Sequence, residues 1–372
     1  MNIPLSQPDI TEAEIEEVVS VLRSTRLSLG PKMEEFEASV GGYVDQPFGI
    51  AVSSGTAGLH LCIRALSIGP GDEVIVPSFT FIAAANAIQY EGATPVFVDI
   101  DPQSLNLDPA RVEEAITTRT RAIVVVHTFG VPAEMDALLD IAARHHLRII
   151  EDACEAIGAE YDGRRVGAFG DAAVFAFYPN KQITTGEGGM VVTRDRHLAT
   201  EIRAMRNQGR YDSDAWHQHS IPGWNYRLSE INCALGCAQM RRIDHILSRR
   251  ESVARTYDEA LRGVEGVEPP PLQLFNRRIS WFVYVVRLAP RFNQEDRDAI
   301  ARNLMDQGIG CGRYFAPIHT QPAYSLPVAH PLPVTEAASV RTLALPFFNC
   351  LDKERILRVT EVLGRAMHCV KP

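Results

Sequence analysis

The sequence predicts an α/β protein with a mostly parallel central sheet and a smaller C-terminal α+β domain. Short apolar runs alternate with amphipathic helical patterns from about residue 34 onward. The runs end at glycine, proline or an acid, and a proline-rich stretch at 264–273 sets this regular region apart from a second group of elements. Alternating strands and helices imply parallel βαβ units, whose right-handed crossovers place helices on both faces of the sheet. Ligands of such sheets bind beyond the carboxyl ends of the strands.

The elements follow in order. Residues 33–44 (MEEFEASVGGYV) and 56–68 (TAGLHLCIRALSI) read as helices, and 72–78 (DEVIVPS) as a buried strand stopped by Pro77. A helix at 81–92 closes on Gly92, and TPVFVDI (94–100) is again a strand. Asp108 caps a helix over 108–116, and RAIVVVHTFG (121–130) is the most apolar strand. The amphipathic stretch 134–146 leads into LRIIEDA (147–153), a buried strand that ends in acid, and AAVFAFYP (172–179) is a further apolar run. One long helical pattern spans 229–263. Beyond the prolines, RISWFVYVVRL (278–288) is strand-like and 294–309 helical. The expected division is 1–248 for a large domain and 249–372 for the small one.

Bulk properties narrow the function. The chain has 372 residues, more than one small core needs, and 46% hydrophobic with 22% charged residues excludes a disordered chain. A net charge of −9 disfavours nucleic acid and anionic membranes as partners, although a phosphate site needs only local donors. Seven cysteines without a C-x-x-C pair predict no metal site and fit a reducing cytoplasm. The opening MNIPLSQPDI lacks a basic-then-apolar signal pattern, and no apolar run reaches membrane-span length, so a soluble cytoplasmic protein is expected.

Three stretches carry chemistry. In VSSGTAGLHL (52–61) small residues join a strand end to a helix, so backbone N–H groups at Ser54, Gly55, Thr56 and Ala57 can face an anion, with hydroxyls from Ser53, Ser54 and Thr56. Asp152 ends a strand within the crevice zone, where a carboxylate could keep a ring nitrogen protonated; Glu155 lies three residues on. In NKQITTGEGGM (180–190) Lys181 sits between a strand end and glycines 186, 188 and 189, which permit a sharp turn. Taken singly these are a capped helix, a strand-end cap and a surface lysine. Together they match pyridoxal 5'-phosphate (PLP), whose phosphate, ring nitrogen and aldehyde each find a partner, the last through a Schiff base. Phe81, in PSFTFIAAAN, is a candidate to stack on the ring.

At this point the sequence resembles the DegT/DnrJ/EryC1/StrS family of sugar aminotransferases from about residue 3 to the C-terminus. The likeness rests on SSGTAGLHL, GPGDEVIVPSFTF, GATPVFVDID, EDACEAIGAEYDGRRVGAFGD, NKQITTGEGGMVVT, GWNYRLSEINCALG and FAPIHTQPAY. It implies fold type I, the aspartate aminotransferase-like fold, with PLP as cofactor and pyridoxamine 5'-phosphate (PMP) formed during turnover. It further implies Lys181 as the Schiff-base lysine, Asp152 as the ring-nitrogen partner, Thr56 and Ala57 at the phosphate, and Glu155 near the ring hydroxyl. Asn225, in GWNYR, matches the asparagine that reaches the cofactor phosphate of a neighbouring subunit, which implies a homodimer with shared sites. Ala176 stands where relatives usually carry serine, so one phosphate hydroxyl is missing. Lys181 itself argues against the dehydratase branch, which replaces it with histidine.

The motifs around Lys181 and Asp152 are most similar to the GDP-perosamine synthase-like 4-aminotransferases. That implies transfer of an amino group from L-glutamate to C4 of a nucleotide-linked 4-keto-6-deoxyhexose. Tyr314 and His319, in RYFAPIH, and Arg227 are then expected at the substrate. The alternatives are a 3-keto-sugar or inositol aminotransferase, a non-catalytic regulator that retains the fold, and a PLP desulfurase, which would need an exposed nucleophilic cysteine.

Overall fold

A computed structural model of the chain describes residues 2–324 and 328–371. Seven strands form its central sheet: β1 (Phe48–Val52), β2 (Glu73–Pro77), β3 (Thr94–Val98), β4 (Thr120–Val126), β5 (Arg148–Asp152), β6 (Ala172–Ala176) and β7 (Gly189–Thr193). Their order across the sheet is β1-β7-β6-β5-β4-β2-β3. Six run in one direction, and β7 runs against both of its neighbours, β1 and β6. A parallel return needs a crossover of a dozen or more residues, usually helical. The link from β6 to β7 instead turns back on itself through Gly186 and Gly188, both at positive φ, and places Lys181 at its tip.

Helices cover both faces. Those flanking the sheet are α1 (Glu12–Leu22), α2 (Pro31–Tyr43), α3 (Gly55–Ala65), α4 (Ala83–Tyr90), α5 (Pro109–Glu114), α6 (Met135–His145), α7 (Arg196–Arg206) and α8 (Glu230–Arg241). The strand period of two sorts the core. Ile50, Val52, Val74, Val76, Val124, Ile150 and Val174 pack beneath α3, α4 and α7. Ala51, Ala173, Phe175 and Val192 face α2 and α8, while Ile75, Ile123, Val125 and Ile149 face α5 and α6. Burial on both faces is why β4 reads as an unbroken apolar run.

The pattern expected as one helix over 229–263 is two, α8 and α9 (Ile243–Leu261). Arg242 breaks it with φ −111° and ψ 4°, and its guanidinium reaches Asp9 and Glu14. The first turns of α9 bury Ile246 and Leu247 against the large core, and its last turns bury Val253, Tyr257 and Leu261 in the second core. We propose this helix as the joint between the units expected at 1–248 and 249–372. The second core contains the antiparallel strands β8 (Val267–Glu268), β9 (Tyr284–Leu288) and β10 (Thr342–Leu345), with α10 (Gln294–Asp306) and α12 (Lys353–Val370), while α11 (Pro333–Arg341) places Ala338 in an aromatic cluster with Phe79 and Phe315. Ile3 also belongs to the second core, bridging to Ile309. The run expected as a strand over 278–288 is divided: Arg277–Arg278 pair with Glu160–Tyr161, residues 279–283 cross between the cores, and only 284–288 enter the sheet of the second core.

Glu14, only 1% exposed, ties α1 to the start of α9. Its carboxylate accepts from the Thr11 N–H (2.7 Å), the Gln239 amide (2.9 Å) and the Arg242 guanidinium (2.6 Å). Burial raises its pKa, but the hydrogen bonds from Thr11, Arg242 and Gln239 outweigh that effect and pull it from 4.5 down to about 2. A carboxyl whose folded pKa is depressed contributes stability above its unfolded pKa and loses it as pH falls through the folded value. Glu14→Ala is therefore expected to lower stability by roughly 1–3 kcal/mol at neutral pH, since it strands buried donors. The gap from wild type should narrow as pH drops from 4.5 toward 2, and urea unfolding across that range measures it.

Candidate active site

The pleat that sorts the core also builds the site. Val126, Asp152 and Ala176 end β4, β5 and β6 in register with the residues that pack under α3. Each therefore points to the α3 face at the carboxyl edge of the sheet. Glu151, one residue earlier, points the other way. There it accepts from His127 Nε2 and from the N–H groups of Gly167, Phe169 and Gly170. Two neighbouring acids thus do different work: Glu151 holds a loop and Asp152 faces a cavity.

That cavity encloses about 450 Å³. Ser54, Gly55 and Thr56 at the start of α3, with Phe81, Asp152, Glu155, Lys181 and Tyr314, all line it. Ser54 caps α3, its Oγ accepting from the Ala57 N–H at 3.1 Å. The N–H groups of Gly55 and Thr56 lie in the first turn, which has no intrahelical acceptors, at the positive end of the helix dipole. Gly55 is needed as glycine. A Cβ there would sit 2.8 Å from Cys154 Sγ and 2.9 Å from Ala176 Cβ.

Asp152 is buried, with Oδ1 accepting from the Cys154 N–H at 3.2 Å. The Lys181 side chain is 14% exposed; Nζ lies 3.6 Å from Glu155 Oε1 and 4.0 Å from the centre of the Phe282 ring. Burial pushes the Glu155 carboxyl up, even though Lys181 and the Phe129 N–H (2.9 Å) favour its charged form. Burial, followed by the charge of Asp152, raises the Cys154 thiol well above its usual range. Cys154 is therefore not the exposed, low-pKa thiol a desulfurase needs.

Sequence reasoning missed several lining residues: Thr80, Val126, Cys154, Tyr178, Asn180, Phe282 and Phe315. Asn180 and Tyr178 adjoin the lysine and were open to view; Phe282 and Phe315 come from remote chain segments and carry no local signal. Four expected residues lie outside the cavity lining. Ala57 gives its N–H to Ser54. Asn225 is exposed, bridged to Asn207, and Arg227 donates to the Asn207 side chain at 3.0 Å. His319 turns its ring to Ser78. Within this chain, Arg227 and His319 thus lie against other side chains rather than in the cavity lining.

The model of the DegT/DnrJ/EryC1/StrS aminotransferase family matches residues 8–364. The chain belongs to this family. It is 41% identical over 367 residues to GDP-perosamine synthase of Caulobacter vibrioides, covering 98% of each protein. Among solved structures, DesV of S. venezuelae superposes with a TM-score of 0.90 at 37% identity, over 100% of this chain and 99% of that one. Spr1654 of Streptococcus pneumoniae, in its PMP form, gives 0.94 at 29% identity, over 100% and 98%; it has also been solved in a PLP form. The enzyme is a PLP-dependent aminotransferase of fold type I. No helix among the described residues is long and apolar enough to cross a membrane.

The aminotransferase's cavity fits its cofactor. It offers first-turn N–H groups, a carboxylate and an amine for a phosphate, a ring nitrogen and an aldehyde, plus a buried Asn180 Oδ1 that has no partner among the described residues. The missing hydroxyl at Ala176 is not replaced on the same strand, which leaves the α3 end with Ser54 and Thr56. Gly55→Ala is expected to weaken PLP binding roughly tenfold or more, through overpacking of the cradle. Ala176→Ser should tighten it by about three- to tenfold, the value of one added hydrogen bond. Titration of apoenzyme with PLP, followed by visible absorption, reads both; unchanged affinity in Ala176→Ser would show that the hydroxyl misses the phosphate.

Proposed function

We propose that this aminotransferase moves the amino group of L-glutamate onto C4 of a nucleotide-linked 4-keto-6-deoxyhexose. The observation that carries the chemistry is the meeting of Lys181, Asp152 and the α3 N-terminus in one cavity. The sugar assignment draws support from the 41% identity to GDP-perosamine synthase over nearly the whole of both chains.

Bound PLP supplies an aldehyde that can carry an amino group and a ring that accepts electrons. Lys181 Nζ would hold the aldehyde between turnovers. Once released, the same amine would take the proton from the donor's Cα, and in the second half-reaction deliver one to C4 of the sugar. Asp152, as a fixed carboxylate, would keep the ring nitrogen protonated, because an adjacent negative charge favours the cationic form. Gly55 and Thr56 would bind the phosphate through N–H groups, aided by the hydroxyls of Ser54 and Thr56, with Ala57 serving Ser54 instead. Glu155 is assigned to the ring hydroxyl and Phe81, 62% exposed, to the ring face. Tyr314 is assigned to the sugar side. Asn225, exposed on a segment whose Tyr226 carbonyl accepts from the Ser53 N–H, is assigned to the cofactor phosphate of a partner copy in a homodimer with shared sites.

Incubation with L-glutamate and a panel of nucleotide-linked 4-keto and 3-keto sugars, read by product mass and by NMR of the aminated carbon, tests the assignment. Amination at C4 of the 6-deoxy sugar is expected. Amination at C3 alone, or of an unlinked cyclitol, would replace it with one of the sibling activities. Lys181→Ala should lose turnover by roughly 10³-fold or more while still binding PMP; normal turnover in that variant would remove Lys181 from the mechanism.

A further inference from the structure

Ser78, directly after β2, is fully buried, and it forms a clasp with the second unit. Its Oγ lies 2.7 Å from His319 Nδ1 and accepts from the His319 backbone N–H at 3.2 Å. Its carbonyl accepts from the Ile318 N–H at 2.9 Å. The Ser78 hydroxyl and the imidazole are thus paired with each other across the joint. The ring's Nε2 faces Glu336 Oε1 at 3.5 Å without hydrogen-bond alignment. The His319 side chain is 6% exposed and lies outside the cavity lining.

Two walls of the cavity diverge from this clasp. On one side the chain runs through Phe79 to Thr80 and Phe81; on the other, Tyr314 and Phe315 precede the Pro317–His319 turn. Phe79 and Phe315 meet edge to face at 5.9 Å, so the clasp and this ring pair act at the same joint. We propose that His319 is a positioning residue for the aminotransferase reaction: by fastening Ser78 it sets the spacing between the Phe81 wall and the Tyr314 wall, where the substrate must fit. A ring held this way acts on substrate affinity through the walls and leaves the proton transfers at Lys181 untouched.

The experiment is a double-mutant cycle on the PLP-loaded enzyme with Ser78→Ala, His319→Leu and their combination, plus His319→Asn, whose Oδ1 can still accept from Ser78. Visible absorption and melting temperature confirm that each variant keeps a folded, loaded site, and Ser78→Ala carries the test if His319→Leu does not fold. In His319→Leu, KM for L-glutamate should rise about tenfold with kcat changed less than about threefold. Ser78→Ala should behave alike, the double variant should be no worse than either single one, and His319→Asn should recover most of the affinity. Amide hydrogen exchange over 314–320 should accelerate in His319→Leu and Ser78→Ala. The kinetic half rests on glutamate being the donor; the exchange half involves no substrate, so a wrong donor would leave it intact. Unchanged exchange over 314–320 would overturn the proposal, as would His319→Asn being as impaired as His319→Leu while Ser78→Ala behaves like wild type.

Discussion

A lysine amine can serve a bound ligand only if the chain that carries it is held still, and here residues 177–188 do so without helix or strand. The loop is closed at its base by the Phe177 N–H on the Gly188 carbonyl and the Thr185 N–H on the Phe177 carbonyl. Gln182, next to Lys181, buries its amide against the carbonyls of Glu155 and Ser280 and the Ser280 hydroxyl. The Thr184 N–H donates to Gln239, whose own amide reaches Glu14. The N-terminal helix, α8 and the lysine loop are therefore one hydrogen-bonded unit. Each bond is buried, so losing any of them strands a polar group rather than returning it to water.

The second unit takes part in the site through the same logic. Arg250, buried on α9, donates to the carbonyls of Trp281 and Phe282 and to Asn349. Burial lowers its pKa to about 10, with the charge of Asp9 pulling the other way. Those bonds fix the strand-like segment that presents the Phe282 ring beneath Lys181. Asp99, at the far edge of the sheet, accepts from the Val334 and Thr335 N–H groups and so caps α11 across the joint. The cavity is thus walled by segments from both parts of the chain, with Phe282 and Phe315 clustered against Phe79 and Phe129, and its shape depends on how firmly those segments are fastened.

Much of the site was legible because its signals are local. Ser54 announces a helix start by residue type, Asp152 follows three buried strand residues, and the glycines after Lys181 mark a reversal. Strand β7 (Gly189–Thr193) and its antiparallel direction were not legible, since the short link after Lys181 decides its sense and no local pattern announces it. The placement of His319 and Arg227 at the substrate follows from the family likeness alone. Within this chain they pair with Ser78 and Asn207, and nothing near them in the sequence signals those pairs.

By itself the sequence determined the alternation of strands and helices, the family, and the three groups that match the cofactor's handles. These depend on short-range periodicity, capping chemistry and motif order, all of which are written within a few residues. Only the tertiary structure decided which face each strand end presents, that Gly55 meets Cys154 and Ala176, and that Phe282 and Phe315 close the cavity. Those outcomes depend on register and on packing between segments far apart in the chain. A shift of one residue in β5 would exchange Glu151 for Asp152 at the cavity and leave the local sequence signals unchanged.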